Sequence, residues 1–209
     1  MSNKKTMTVL IHGIWMPAII MWPMALMLRR AGFDCRLFGY PTLTHTLTKN
    51  AARLNRFIVS LHADEVHLVA HSLGGLLVRA LLKEYPDQPP GRVVMLGTPN
   101  GGSVVGERLR SWGSPGRWLA GRSLLQHLDE GSSWPVIPRE MGVIAGSWAF
   151  GVGTFLGGLS GPGDGAVLIE ETRCPDMVDH LVLPLTHTAL MTAPSAAKAT
   201  AHFLKAGHF

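Results

Sequence analysis

The sequence predicts an α/β protein, a three-layer sandwich with a mostly parallel central sheet, and three observations carry that prediction. Short apolar runs of strand formers alternate along the chain with stretches whose apolar residues recur at helical spacing. Such alternation pairs strands in parallel through right-handed crossovers and covers both faces of the sheet with helices. With 209 residues, 46% hydrophobic and 16% charged, folding can bury about 70% of the chain's unfolded surface, enough for one sizeable core.

Thr8 to Ile11 is a short strand that stops at His12-Gly13, and Pro17 to Arg30 then reads as a helix closed by Gly32. Cys35 to Phe38 forms a second strand. Leu47, Ala51, Leu54, Phe57, Ile58 and Leu61 share one helical face and define a second helix. Glu65 to Ala70 is the third strand. After it, Leu73, Leu76, Leu77, Ala80 and Leu81 form one stripe on a helix that ends before Pro86. Arg92 to Leu96, Met141 to Ala145 and Leu181 to Leu183 complete the strands, and Pro194 to Leu204 is a closing helix.

One stretch breaks the rhythm. Residues 101–138 are rich in Gly, Ser, Pro, Trp and Arg, with room for a helix from Val104 to Arg110 and another around Leu119 to Leu128. We read them as a lid-like insertion in a single domain spanning residues 1–209. Gly151 to Gly165 is a glycine-rich loop; lacking a following Gly-Lys-Ser/Thr, it is no phosphate cradle.

Composition narrows the function. A net charge of +5 and a pI near 9.6 invite a nucleic-acid reading. The 19 Lys and Arg, however, are spread along the chain, and the densest stretch, Arg108, Arg110, Arg117 and Arg122, is interleaved with Gly, Ser and Trp. That pattern describes a solvated face and no nucleic-acid partner. Cys35 and Cys174 are too few for a disulfide scaffold and form no metal-ligand pair, so they read as buried thiols. Ile14 to Leu28 is apolar but holds about 15 residues against about 20 needed to span a bilayer, and Pro17 and Pro23 interrupt it. The first residues show no secretory pattern, which points to a cytoplasmic protein.

The sharpest chemical feature is Ala70-His71-Ser72-Leu73-Gly74-Gly75, placed where a strand turns into a helix. A serine on such a turn holds its hydroxyl above the sheet, and small flanking residues let neighbouring backbones approach. The helix N-terminus beneath it supplies partial positive charge and free N–H groups where an oxyanion would form. Ala70 stands where glycine is usual and is still small. The plain alternative is an ordinary serine N-cap.

With this elbow, His12-Gly13-Ile14 after the first strand, Leu96-Gly97-Thr98-Pro99-Asn100-Gly101-Gly102-Ser103 after the fourth, and a late Asp followed by His, the chain resembles the α/β-hydrolases, and specifically small bacterial lipases and esterases. The resemblance spans nearly the whole chain. It implies a Ser, acid, His order of catalytic residues. His187 follows the last strand and so projects from its carboxyl end, where a base must be; His180 lies at the strand's start, and His202 and His208 belong to the closing helix and tail. Asp164, on the turn Gly161-Pro-Gly-Asp-Gly-Ala-Val, matches the family's late Asp-Gly-x-Val signature, with an Asx-turn residue as the plain alternative. Asp176, Asp179 and Asp129 are less well placed.

Two backbone N–H groups should form the oxyanion hole, from Leu73 and, by resemblance, from Ile14; the resemblance gives His12 the structural task of holding that loop. Trp15 and Met16 open an apolar cluster running through Ile19, Ile20, Met21 and Trp22, too continuous for one helix face; core with substrate contact from Trp15 and Met16 is the expectation, and core alone is the plain alternative. Trp112, Trp118 and Trp134 suit either a cover over the site or a lid folded back on itself. The expected activity is hydrolysis of carboxylic esters of apolar acyl groups by Ser72, Asp164 and His187 through an acyl-enzyme, on a small-molecule or lipid ester, with transient lipid-surface contact. No metal or other cofactor is implied. An acyltransferase, thioesterase or amidase would use the same residues, and a binding protein without catalysis is the remaining alternative.

Overall fold

The computed structural model describes residues 4–131, 134–151 and 159–209. Six strands form its sheet: β1 (Thr6–Ile11), β2 (Cys35–Phe38), β3 (Glu65–His71), β4 (Val93–Leu96), β5 (Met141–Gly146) and β6 (Asp179–Leu183), in the order β2-β1-β3-β4-β5-β6. Each neighbouring pair runs parallel. The period-two alternation of strand side chains builds two cores. Val9, Ile11, Leu68, Ala70, Val93 and Met95 face one way, onto α2 (Leu47–Ser60) and α3 (Leu73–Glu84). Leu10, Val69, Val94, Leu96 and Ile144 face the other way, onto α1 (Trp22–Arg30) and the last helix, Pro194–Ala206.

Strand order locates the chemistry. From β1 the chain passes through α1 to β2 on one side, then crosses back through α2 to β3 on the other. The switch point therefore lies between β1 and β3, and ligands in open α/β sheets bind at the carboxyl ends of strands at such a point. The loop after β1 and the turn after β3 meet there.

Several elements differ from the sequence reading. The helix expected over Pro17 to Arg30 is a 3₁₀ turn at Ala18–Met21 followed by α1, because Pro23 suits the first turn of an α-helix and not its interior. Within residues 101–138, α4 (Val104–Ser111) is followed by α5 (Gly113–Glu130), which is longer than expected and breaks at Gly121 (φ 67°, ψ 165°). A four-residue helix, α6 (Ile169–Thr172), precedes β6, and α7 (Pro194–Ala206) ends on left-handed Gly207. Of the glycine-rich loop 151–165, residues 152–158 lie outside the described residues. Cys35 is buried and Cys174 half-buried, both are free thiols, and burial pushes each up to about 11. No helix among the described residues is long and apolar enough to cross a membrane.

Candidate active site

At the end of β3 the backbone turns sharply into α3, and Ser72 sits on that turn with φ 53° and ψ −123°. A positive φ is strained for serine, and the surroundings hold it: Ser72 N–H donates to Leu96 O (2.9 Å) and Thr98 Oγ1 donates to Ser72 O (3.0 Å). Neighbouring backbones crowd the turn. A Cβ on Gly74 would lie 2.7 Å from His12 O, and one on Gly75 would lie 2.1 Å from Thr98 Oγ1, so both positions require glycine. Ala70 is fully buried in the ladder between Ile11 and Met95.

Asp164 is fully buried, and its carboxylate is divided between two tasks. Oδ1 accepts the N–H groups of Ala166 (3.0 Å) and Val167 (2.8 Å), closing an Asx turn. Oδ2 accepts Nδ1–H of His187 at 2.7 Å, and His187 N–H donates to Asp164 O at 2.9 Å. An Nδ1 proton committed to a carboxylate leaves Nε2 as the basic lone pair. Glycines make room for the pair: a Cβ on Gly97 (φ 58°) would lie 3.0 Å from both Asp164 Oδ2 and His187 Nδ1, and one on Gly146 would lie 2.7 Å from Asp164 Cβ. The reason for Gly97 is invisible in the sequence.

Two further histidines support the site. His12 donates from Nδ1 to Gly13 O (2.8 Å), accepts Tyr40 N–H at Nε2 (3.3 Å) and stacks on the Tyr40 ring at 4.5 Å, while Tyr40 OH donates to His12 O (3.0 Å). Burial lowers its pKa, keeping the ring neutral and both nitrogens in those roles. His71, which the sequence reading left without a task, is fully buried and donates from Nε2 to the backbone carbonyl of His187 (3.0 Å), the rings 4.5 Å apart. Burial holds it well below the usual histidine range.

Ser72 and His187 line one apolar cavity of about 160 Å³, as do Ile14, Trp15, Met16 and Leu73. No hydrogen bond joins Ser72 to the His187 ring among the described residues; nucleophile–base contacts are often long until substrate aligns them. Leu73 N–H opens α3, and Ile14 N–H follows Gly13; among the described residues neither has an acceptor. Val105 and Leu109 of α4 and Leu124 of α5 form the far wall. The tryptophans of the insertion do not line the cavity: Trp112 and Trp118 are exposed, and Trp134 stacks on His127 at 5.7 Å. Of the cluster after the first strand, Met21 is core, whereas Ile19, Ile20 and Trp22 are exposed.

The rival residues are occupied elsewhere. His180 bonds Thr172 Oγ1 (2.9 Å), and Asp179 accepts Phe209 N–H (2.8 Å). Asp176 takes a bidentate bond from buried Arg79 (3.0 and 3.2 Å), whose Nε donates to Asn100 Oδ1. Asp129 pairs with Arg110 at the surface. Glu171 went unnoticed in the sequence: it accepts Val104 N–H (2.6 Å) and Leu168 N–H (2.8 Å), tying the insertion to the Asp164 turn, and burial raises its pKa.

A family model described as a domain of unknown function, DUF7379, matches residues 5–113, just over half of the chain. The chain belongs to the DUF7379 family. The DUF7379 match carries β1 to α4, and with them Ile14 and Ser72, while Asp164 and His187 lie beyond it. No curated protein sequence matches. Among solved structures, the mature lipase BlEst2 of Bacillus licheniformis aligns over 100% of this chain and 94% of its own, with a TM-score of 0.74 at 20% identity. A thermophilic esterase of Thermogutta terrifontis aligns over 99% and 92% (TM-score 0.70, 15% identity), and a monoacylglycerol lipase of Paleococcus ferrophilus over 98% and 97% (0.65, 15%). The likeness gives this DUF7379 chain the α/β-hydrolase fold.

Proposed function

We propose that this DUF7379 protein is a serine hydrolase of carboxylic esters with apolar acyl groups. The observation that carries the reading is the Asp164 carboxylate 2.7 Å from His187 Nδ1, beside a strained Ser72 in one apolar cavity. Ser72 Oγ attacks the ester carbonyl while His187 Nε2 takes its proton, and the carbonyl oxygen becomes an oxyanion held by the N–H groups of Leu73 and Ile14. Collapse breaks the bond to the alcohol oxygen, which leaves with the proton from His187. Water then enters, gives a proton to Nε2 and attacks the acyl-enzyme; collapse returns that proton to Ser72 and releases the acid. Asp164 holds the tautomer and stabilises the imidazolium. Trp15 and Met16 contact the acyl group, and residues 101–138 act as a lid-like insertion in a single domain.

A fluorophosphonate probe tests the reading directly. We expect covalent labelling that maps to Ser72, together with turnover of nitrophenyl esters. Absence of both in a folded protein would overturn it.

A further inference from the structure

The candidate oxyanion loop and the insertion share one hydrogen bond. Trp15 Nε1–H donates to Leu119 O at 2.8 Å, across 104 positions of sequence. The acceptor is available because α5 breaks at Gly121: a helix ending there leaves its last carbonyls without intrahelical donors. The break is locked in place. Arg122 N–H donates to Leu43 O (2.8 Å), and a Cβ on Gly121 would lie 2.7 Å from Leu43 Cα.

On the other side of the bond, Trp15 has φ 61°, a left-handed backbone that a bulky side chain adopts at a cost. It stands directly after Ile14, whose N–H lacks an acceptor among the described residues. Among the described residues its own N–H reaches only Thr42 Oγ1, at 3.4 Å. The indole bond, made by a side chain that is 43% exposed, is the shorter of these two ties on this strained residue, and strain persists only where surroundings over-determine it.

We infer that Trp15 is a positioning residue: through its bond to Leu119, the insertion holds the loop after β1 in the conformation that turns Ile14 N–H toward the oxyanion. The inference rests on the proposed hydrolase reading. The insertion thereby completes the oxyanion hole as well as walling the cavity.

Two variants test it. Trp15→Phe keeps an aromatic wall without the donor, and replacing Trp15 by β-(3-benzothienyl)alanine keeps the ring shape and removes only the N–H. With a short nitrophenyl ester, both should lower kcat by about tenfold, with KM changed less than about twofold and the melting temperature nearly kept, because small misplacements of reacting groups cost rate more than binding. Fluorophosphonate labelling of Ser72 should slow in parallel, while the pH profile of kcat/KM stays in place. If both variants keep kcat and labelling rate within about twofold, the bond positions nothing. A rise in KM with a fall in melting temperature at constant kcat would make it a packing contact and overturn the inference. Either result leaves the hydrolase reading standing as long as wild-type Ser72 is labelled; a wild-type protein that is folded yet neither labelled nor active overturns both.

Discussion

Ser72 illustrates how one residue's strain depends on its neighbours, since its φ of 53° is held by its N–H bond to Leu96 O, by the bond it accepts from Thr98 Oγ1 and by the absence of a Cβ at two glycines. In the proposed hydrolase its hydroxyl needs the base opposite, and His187 needs Asp164, 2.7 Å from its Nδ1, to keep the proton there. Residues that act as a unit lose function as a unit. Ser72→Ala, His187→Ala and the double variant should therefore each lower kcat by about 10⁴-fold or more, the double no worse than the singles, and Asp164→Asn should cost about 10⁴-fold by turning the imidazole to the wrong tautomer. Steady-state kinetics on one ester checks this, with His180→Ala as the control expected to keep its rate, since His180 bonds Thr172 instead.

At the scale of elements, the elbow and the insertion behave differently. The first turn of α3 passes so close to β4's carboxyl end that Gly75 has no room for a methyl group beside Thr98. Gly75→Ala should destabilise the fold by about 1–3 kcal/mol, the usual cost of overpacking, and reduce activity by shifting Ser72. Urea unfolding measures the first, and an unchanged midpoint would mean the turn has slack. Residues 101–138 instead contribute one wall of the cavity, through Ser103, Val105, Leu109 and Leu124. At about 160 Å³ it is close to the roughly 150 Å³ cavity that admits benzene, so about six acyl carbons fit. Along a ladder of nitrophenyl esters, kcat/KM should climb by up to about fourfold per methylene and level off near six carbons. Leu124→Phe, on the insertion wall, should bring that plateau to shorter chains, whereas a plateau that stays in place would assign chain length to another wall.

For the molecule as a whole, buried histidines make stability depend on pH below neutrality. Burial lowers the pKa of His12, His67 and His71, and that of His127 to about 4. Between about pH 6.5 and about pH 4 the unfolded chain binds protons at these sites that the folded chain refuses, so stability is lost as pH falls through that window. His127 alone contributes on the order of 3 kcal/mol of that loss. Chemical denaturation at pH 7 and pH 5 should show the fall, and His127→Gln should make it shallower. Stability independent of pH across the window would contradict the neutral buried rings.

Sequence alone determined what depends on neighbours along the chain. Strands and helices are written in periods of 2 and 3.6 residues, and the elbow is a contiguous string whose small residues state the sharpness of the turn; Asp164 and His187, which hydrogen-bond in the structure, were expected together from the order that the resemblance implies and from their places after strands. Only the tertiary structure decided which distant groups meet. His71 reaches His187 across 116 positions, Arg79 reaches Asp176 across 97, Glu171 caps Val104 across 67, and Trp15 reaches Leu119 across 104. No local period encodes such partners, because each bond needs two chain segments brought together by the stacking of strands and helices, and its members are polar groups that secondary structure leaves unsatisfied when the layers close.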